Sequence, residues 1–173
     1  MPLVLDPKRT SVHAFTGTEG LFARFAHDLD IVARDIEGHA DDHPPASAHV
    51  RIRISGLHVV GVVKKGRTDE GALSKWERDQ IMGRMATEVF RGTADITAEA
   101  TMNGDEATIA VITATGRQFV RSKVTIARDP SSLTVKGECT LSLRTLGIGP
   151  LKGPMGAFTV ADAVRIHFDA TFG

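Results

Sequence analysis

From Leu133 to Arg144 the chain alternates without a break: Leu133, Val135, Gly137, Cys139, Leu141 and Leu143 fall on one parity, Thr134, Lys136, Glu138, Thr140, Ser142 and Arg144 on the other. A period of two means a strand with one face in an apolar interior and the other in water, and a helix cannot present it. The same pattern recurs near the end of the chain, where Phe158, Val160, Val164, Ile166, Phe168 and Ala170 oppose Arg165, His167 and Asp169. Val50, Ile52 and Ile54 alternate with His49, Arg51 and Arg53, and Ala94, Ile96, Ala98, Ala100 and Met102 share one side of their segment. Parity adds Leu29, Ile31, Ile109, Val111, Val124 and Ile126 to the inward rows.

Turn residues divide these segments. Asn103-Gly104 predicts a tight type I′ hairpin pairing 93–102 with 105–114, since both residues tolerate positive φ. Asp129-Pro130-Ser131-Ser132 separates a strand ending near Ala127 from one beginning at Leu133, and Gly116 divides the two preceding strands. One segment departs from the two-residue period. Ser74-Lys-Trp-Glu77 has the form of a capping box, and Met82, Met85 and Val89 follow at helical spacing, so 75–90 is expected to be one amphipathic helix. The charged, glycine-bounded stretch Val62–Gly71 before it is expected to be a mobile loop.

About eight one-sided strands joined by mostly short connections imply an all-β fold, a single antiparallel sheet over residues 1–173 that closes on itself as a barrel, with one α-helix. An interior of that strand count is either filled by its own side chains or holds one small ligand. Periodicity alone does not choose between the two, and a two-sheet sandwich gives the same alternation.

Charge and cysteine content exclude several functions. Twenty-one basic residues balance twenty-one acidic ones, so no polycation is available to follow a phosphate backbone, and nucleic acid is not an expected partner. The single cysteine, Cys139, rules out an intramolecular disulfide and a cysteine-based zinc site. It lies on an apolar row without a basic neighbour, which predicts a packed, unreactive thiol. No run of apolar residues approaches the roughly 18 that would span a bilayer. The first ten residues lack the hydrophobic segment of a secretory signal, so the chain as it stands is expected in the cytoplasm. A periplasmic chain from which a leader had been removed would read the same.

Several ordered blocks carry a resemblance: Ala14-Phe-Thr-Gly-Thr18, Phe22-Ala-Arg-Phe-Ala-His-Asp-Leu-Asp30, the helix after the third strand, Leu146-Gly-Ile-Gly-Pro150, and Val160-Ala-Asp-Ala-Val-Arg-Ile-His-Phe168. In order and spacing, from about Ser11 to Thr171, they resemble the YceI-like family of lipocalin-like barrels that hold polyisoprenoid chains. The resemblance implies a long pocket for an isoprenoid or other long-chain lipid, with the head group nearer the mouth. It implies that Leu29, Ile31, Ile52, Ile54, Ile96, Ile109, Val111, Val124, Ile126, Val135, Leu141, Ile166 and Phe168 enclose the tail, with Met82 and Met85 from the helix. A non-enzymatic carrier is the function it points to, with no cofactor, and a homodimer as a possible assembly.

His27 shares parity with Leu29, Ile31 and Ala33, while Asp28 and Asp30 point away. Its plainer role is to pin the preceding turn through a backbone hydrogen bond; the alternative is contact with a ligand head group, with Arg24 as charge partner. Gly38–Pro45 and His49 bring together metal-ligand residue types, but a Pro-Pro loop offers no spacing that fixes four ligands, so a solvated turn is expected and no metal. The glycines between Gly147 and Gly156 lack a following helix and a P-loop lysine, which makes a barrel-rim loop the expectation rather than a phosphate cradle. No nucleophile elbow or zinc-protease motif supports an enzyme acting on a hydrophobic substrate. That class and a ligand-free structural barrel remain the alternatives.

Overall fold

The computed structural model describes residues 1–20, 27–153, 156 and 158–173. Among these residues the main sheet has twelve strands, all antiparallel to their neighbours. In chain order the strands of the molecule are β1 (Leu3–Val4), β2 (Ser11–Phe15), β3 (Thr18–Glu19), β4 (Leu29–Ala33), β5 (Ile36–Asp41), β6 (Ser47–Arg53) and β7 (Leu57–Lys64). They continue with β8 (Arg67–Asp69), β9 (Asp95–Asn103), β10 (Glu106–Ile112), β11 (Arg117–Asp129), β12 (Ser132–Ser142), β13 (Thr159–Val160) and β14 (Ala163–Phe172). A short ladder of β3 and β13 stands apart from the main sheet.

Three pairs of these strands are single wall strands with a bend. A 3₁₀ turn at Pro7–Arg9 joins β1 to β2, residues 34–35 join β4 to β5, and a second 3₁₀ turn at Ile54–Gly56 joins β6 to β7. The last two bends nest: Arg34 N–H donates to Gly56 O at 2.8 Å and Arg53 N–H to Asp35 O at 3.0 Å. Glycine is required there, because a Cβ on Gly56 would lie 2.2 Å from that of Asp35. With β9, β10, β11, β12 and β14 these bent strands make eight wall positions, and β8 is a short addition to the edge of β7.

The wall curls back onto itself. β14 pairs with β2, β2 with β4, and β1 with β5, so the two ends of the sheet meet through the bent strands. Val4 and Gly173 exchange backbone hydrogen bonds of 3.0 and 2.8 Å, and Asp6 N–H donates to Thr171 O at 2.8 Å. One stretch of seam is left, where β7 departs from β9 after Ile54 N–H donates to Ala94 O. Helix α1 (Lys75–Arg84), continued by a π-helical turn at Met85–Val89, packs near this stretch. The fold is the expected all-β, lipocalin-like barrel, and closure of the wall decides against the two-sheet sandwich that alternation equally allows.

Local chemistry explains most of the boundaries. Ser74 Oγ accepts from Glu77 N–H while Glu77 accepts from Ser74 N–H, completing the expected capping box. Between β9 and β10 the turn falls one residue later than expected. Asn103 pairs with Glu106, leaving Gly104 and Asp105 as its centre, and only Gly104 takes positive φ (65°), which fits a type II′ turn and not type I′. The stretch expected to be a mobile loop is ordered hairpin: Val62 is buried in β7, and the β7–β8 turn places both Lys65 and Gly66 at positive φ. Likewise Gly38–Asp41 is strand, not turn, and the His39 and His49 rings stack across the β5–β6 ladder.

The barrel therefore has two unlike ends. At the turn end lie the β5–β6 tip, the β9–β10 and β11–β12 turns and both chain termini; at the helix end lie the segment 65–94 and the described residues that follow β2 and β12. No helix among the described residues is long and apolar enough to cross a membrane.

Candidate ligand-binding cavity

The inward rows do not meet. They enclose a cavity of about 840 Å³, within the size range of small-molecule sites. Its wall along the strands is apolar: Leu29 and Ile31 from β4, Ile52 from β6, Ile96 from β9, Ile109 and Val111 from β10, Val124 and Ile126 from β11, Val135 and Leu141 from β12, Ile166 and Phe168 from β14. Strand parity delivers these side chains to one surface, because every second residue of each strand faces inward. Small residues contribute to the space, among them Ala14, Ala33, Ala48, Ala98, Ala100 and Ala170.

Two of the residues expected on this surface are elsewhere. Ile54 lies in the 3₁₀ turn, where two-residue alternation no longer operates, and it packs on Ile31, Ala33, Leu57, Val59, Val62 and Leu73. Met82 packs on that same cluster and does not line the cavity. The helix face turned toward the interior is Ile81, Arg84, Met85 and Glu88, spaced i, i+3, i+4 and i+7, rather than the stripe of Met82, Met85 and Val89. Met85 is common to both stripes, and Val89 of the expected one also lines the cavity. Arg24 lies outside the described residues, as does most of the Phe22–Asp30 block.

His27 is exposed and stands on the cavity rim, so parity placed it on the inward side without burying it. No hydrogen bond pins it among the described residues. Its imidazole is close enough to Glu77 to be one of the weaker influences on that carboxyl, which the Ser74 backbone N–H chiefly holds below the usual carboxylate range. Cys139 lines the cavity from β12 and is half-buried, and desolvation lifts its thiol to about 11.

At the helix end, described residues of the connection between β12 and β14 form cavity wall where the glycines from Gly147 on predict a rim loop. Leu146 and Ile148 are buried, and Leu151 and Phe158 line the cavity with them. The fixing is specific. Thr115 Oγ1 donates to Leu146 O at 2.7 Å, Thr113 Oγ1 donates to the same oxygen at 3.2 Å, and a Cβ on Gly116 would collide with Leu146. Arg84 holds Glu88 at 3.2 and 3.1 Å and donates to Lys152 O at 3.3 Å, tying the helix to this connection. Arg84, Glu88 and Lys152 all border the cavity, and so do Thr16, Thr18 and Thr113.

The turn end is closed in a different way. Leu5, Ile36, Ala40, Leu133 and Phe172 pack into a tight cluster on the side of the chain termini. Across the remaining gap runs the β5–β6 loop, whose Asp42 accepts two hydrogen bonds from Arg128 near the end of β11, from Nε at 3.0 Å and Nη2 at 2.8 Å. These strands stand on opposite sides of the eight-position wall, so the ion pair spans the opening. The guanidinium holds the Asp42 carboxyl below the usual carboxylate range, and Asp42 raises Arg128 in turn.

Chemically, this arrangement favours burial over reaction. Among the described residues, charged groups border the space only at its two ends, and the middle is hydrocarbon with one protonated thiol. No group of three potential metal ligands comes together among the described residues.

No family model matches the sequence, and no curated protein does. Solved structures do match, among them two over nearly their whole length. One is the Burkholderia cenocepacia protein BcnA, with a TM-score of 0.65 and 16% identity over 96% of this chain and 98% of that one. The other is a polyisoprenoid-binding domain from Saccharophagus degradans implicated in plant cell wall breakdown, with a TM-score of 0.67 and 9% identity over 98% of this chain and 96% of that one. At such identities the likeness is one of fold: the chain has the YceI-like fold that its ordered blocks resemble.

Proposed function

We propose that this protein is a non-enzymatic binder that carries a polyisoprenoid or similar long-chain amphiphile inside its barrel. The observation that carries the reading is the apolar cavity of about 840 Å³ running between the two ends, with the charged side chains among its described lining residues lying near those ends. Each methylene moved from water into such a space contributes about 0.8 kcal/mol, so affinity accumulates along a chain without directional chemistry. Support also comes from the fold shared with the Saccharophagus degradans domain. In this reading Leu29, Ile31, Ile52, Ile96, Ile109, Val111, Val124, Ile126, Val135, Leu141, Ile166 and Phe168 hold the tail, and Met85 adapts to it. His27, at the rim of the helix end, serves the head group.

Native mass spectrometry of protein purified without detergent tests this directly. The expected spectrum contains an adduct that organic extraction removes and that extracts as a lipid. A spectrum of bare protein, together with no uptake of added prenyl alcohol, would overturn the reading.

A further inference from the structure

The inner wall thins in registered steps toward the turn end. Across β5, β6 and β9, neighbouring inward residues form one row of Ile36, Ile52 and Ile96, a second of Gly38, Val50 and Ala98, and a third of Ala40, Ala48 and Ala100. Because the rows are set by backbone register, loss of side-chain bulk is matched across three adjacent strands at the same height. The opposite wall keeps its bulk, with Ile126 facing Val135 across the β11–β12 ladder. The space therefore continues past the isoleucine row along one side of the barrel, up to the loop that Asp42 and Arg128 fasten across the opening. That loop brings Pro44 and Pro45 onto the cavity.

We propose that the alanine row of Ala40, Ala48 and Ala100 receives the far end of a ligand's hydrocarbon chain, and that the loop fastened by Asp42 and Arg128 is the stop that sets the longest chain accepted. The proposal rests on the reading of the cavity as a lipid site and adds a direction and a length limit to it. It orients the ligand with its polar end toward the helix, where Lys152 borders the cavity and has no side-chain partner among the described residues. The charged groups of the turn end, by contrast, already satisfy one another: Asp42 holds Arg128, and Asp41 accepts from His43. The occupant is an unbranched or isoprenoid chain with a single polar end.

Unbranched 1-alkanols of increasing chain length provide the probe, displacing a fluorescent fatty acid from the intact protein. In the parent, affinity should rise about fourfold with each methylene, the factor equivalent to ~0.8 kcal/mol, and then stop rising at one chain length. Ala100→Phe should move that limit to a shorter chain and leave affinity for the shorter alkanols unchanged. Asp42→Ala, at a half-buried loop position, and Arg128→Ala, at an exposed one, neither of them in the packed core, should each move it to a longer chain. A limit that stays in place in all three variants overturns the length stop while leaving lipid binding intact. Uniform weakening of every chain length in a folded Ala100→Phe protein does the same. If no alkanol binds the parent, the lipid reading itself fails, and the length stop with it.

Discussion

Cys139 has no partner that stabilises a thiolate, and burial alone takes its thiol to about 11, so at neutral pH only a minute fraction is nucleophilic. Because the residue also lines the cavity, its reactivity reports on both desolvation and occupancy. Alkylation by iodoacetamide should be slow at neutral pH, accelerate as pH rises toward 11, and slow further when a long-chain alcohol is bound. Fast labelling of the native protein at neutral pH would contradict the burial. Asp30 shows the reverse treatment of a buried polar group. It points away from the cavity, as its parity requires, yet only 4% of its surface is exposed, because the β7–β8 hairpin covers it. Both carboxylate oxygens are satisfied, by His13 Nδ1 at 2.7 Å and by Thr68 Oγ1 at 2.8 Å. The sequence placed Asp30 on the outer face. What covers that face came from a segment that alternation did not identify as a hairpin.

Among the elements, the helix was the most legible at its start and the least legible in its rotation. The capping box is local chemistry, so four residues suffice to find it. Ser74→Ala removes the bond to Glu77 N–H and is expected to cost about 1 kcal/mol, readable as a lower urea midpoint with unchanged slope. Which face turns inward depends on what lies beneath. Arg84 can point toward the cavity edge because Glu88 and Lys152 O receive it, and this tertiary pairing places Met82 on the neighbouring cluster instead. The β5–β6 loop follows similar logic. Asp42 is held below its ordinary value, so its ion pair with Arg128 is fully present above pH about 4 and is lost only as pH falls through the depressed value. The loop is therefore fastened throughout the neutral range.

At the scale of the whole barrel, the question is whether the interior tolerates added bulk. In a close-packed core, a tryptophan at Ile126 or Leu141 forces neighbours apart and typically costs about 1–3 kcal/mol. In this cavity the indole has space to occupy. Ile126→Trp and Leu141→Trp are expected to melt near the parent temperature while losing uptake of a fluorescent lipid. Both variants unfolding early would mean that the space collapses in solution.

Alternation and turn chemistry were enough to determine antiparallel strands and most of the inward surface, because side-chain direction in a strand is fixed by parity alone, whereas the choice of a barrel over a two-sheet sandwich rested on the resemblance and on closure of the wall. The same reasoning predicted the wrong surroundings for Ile54, where a 3₁₀ turn suspends that parity, and for Val62–Gly71, where a lysine at positive φ closes a hairpin that composition had read as loop. Leu146 and Ile148 became wall only through two threonines and a glycine some thirty residues earlier, partners that no local pattern reveals. The empty interior was likewise not legible. A filled barrel and a hollow one present identical alternation, and the difference lies in how far the curled strands hold opposite rows apart, which tertiary closure alone decides.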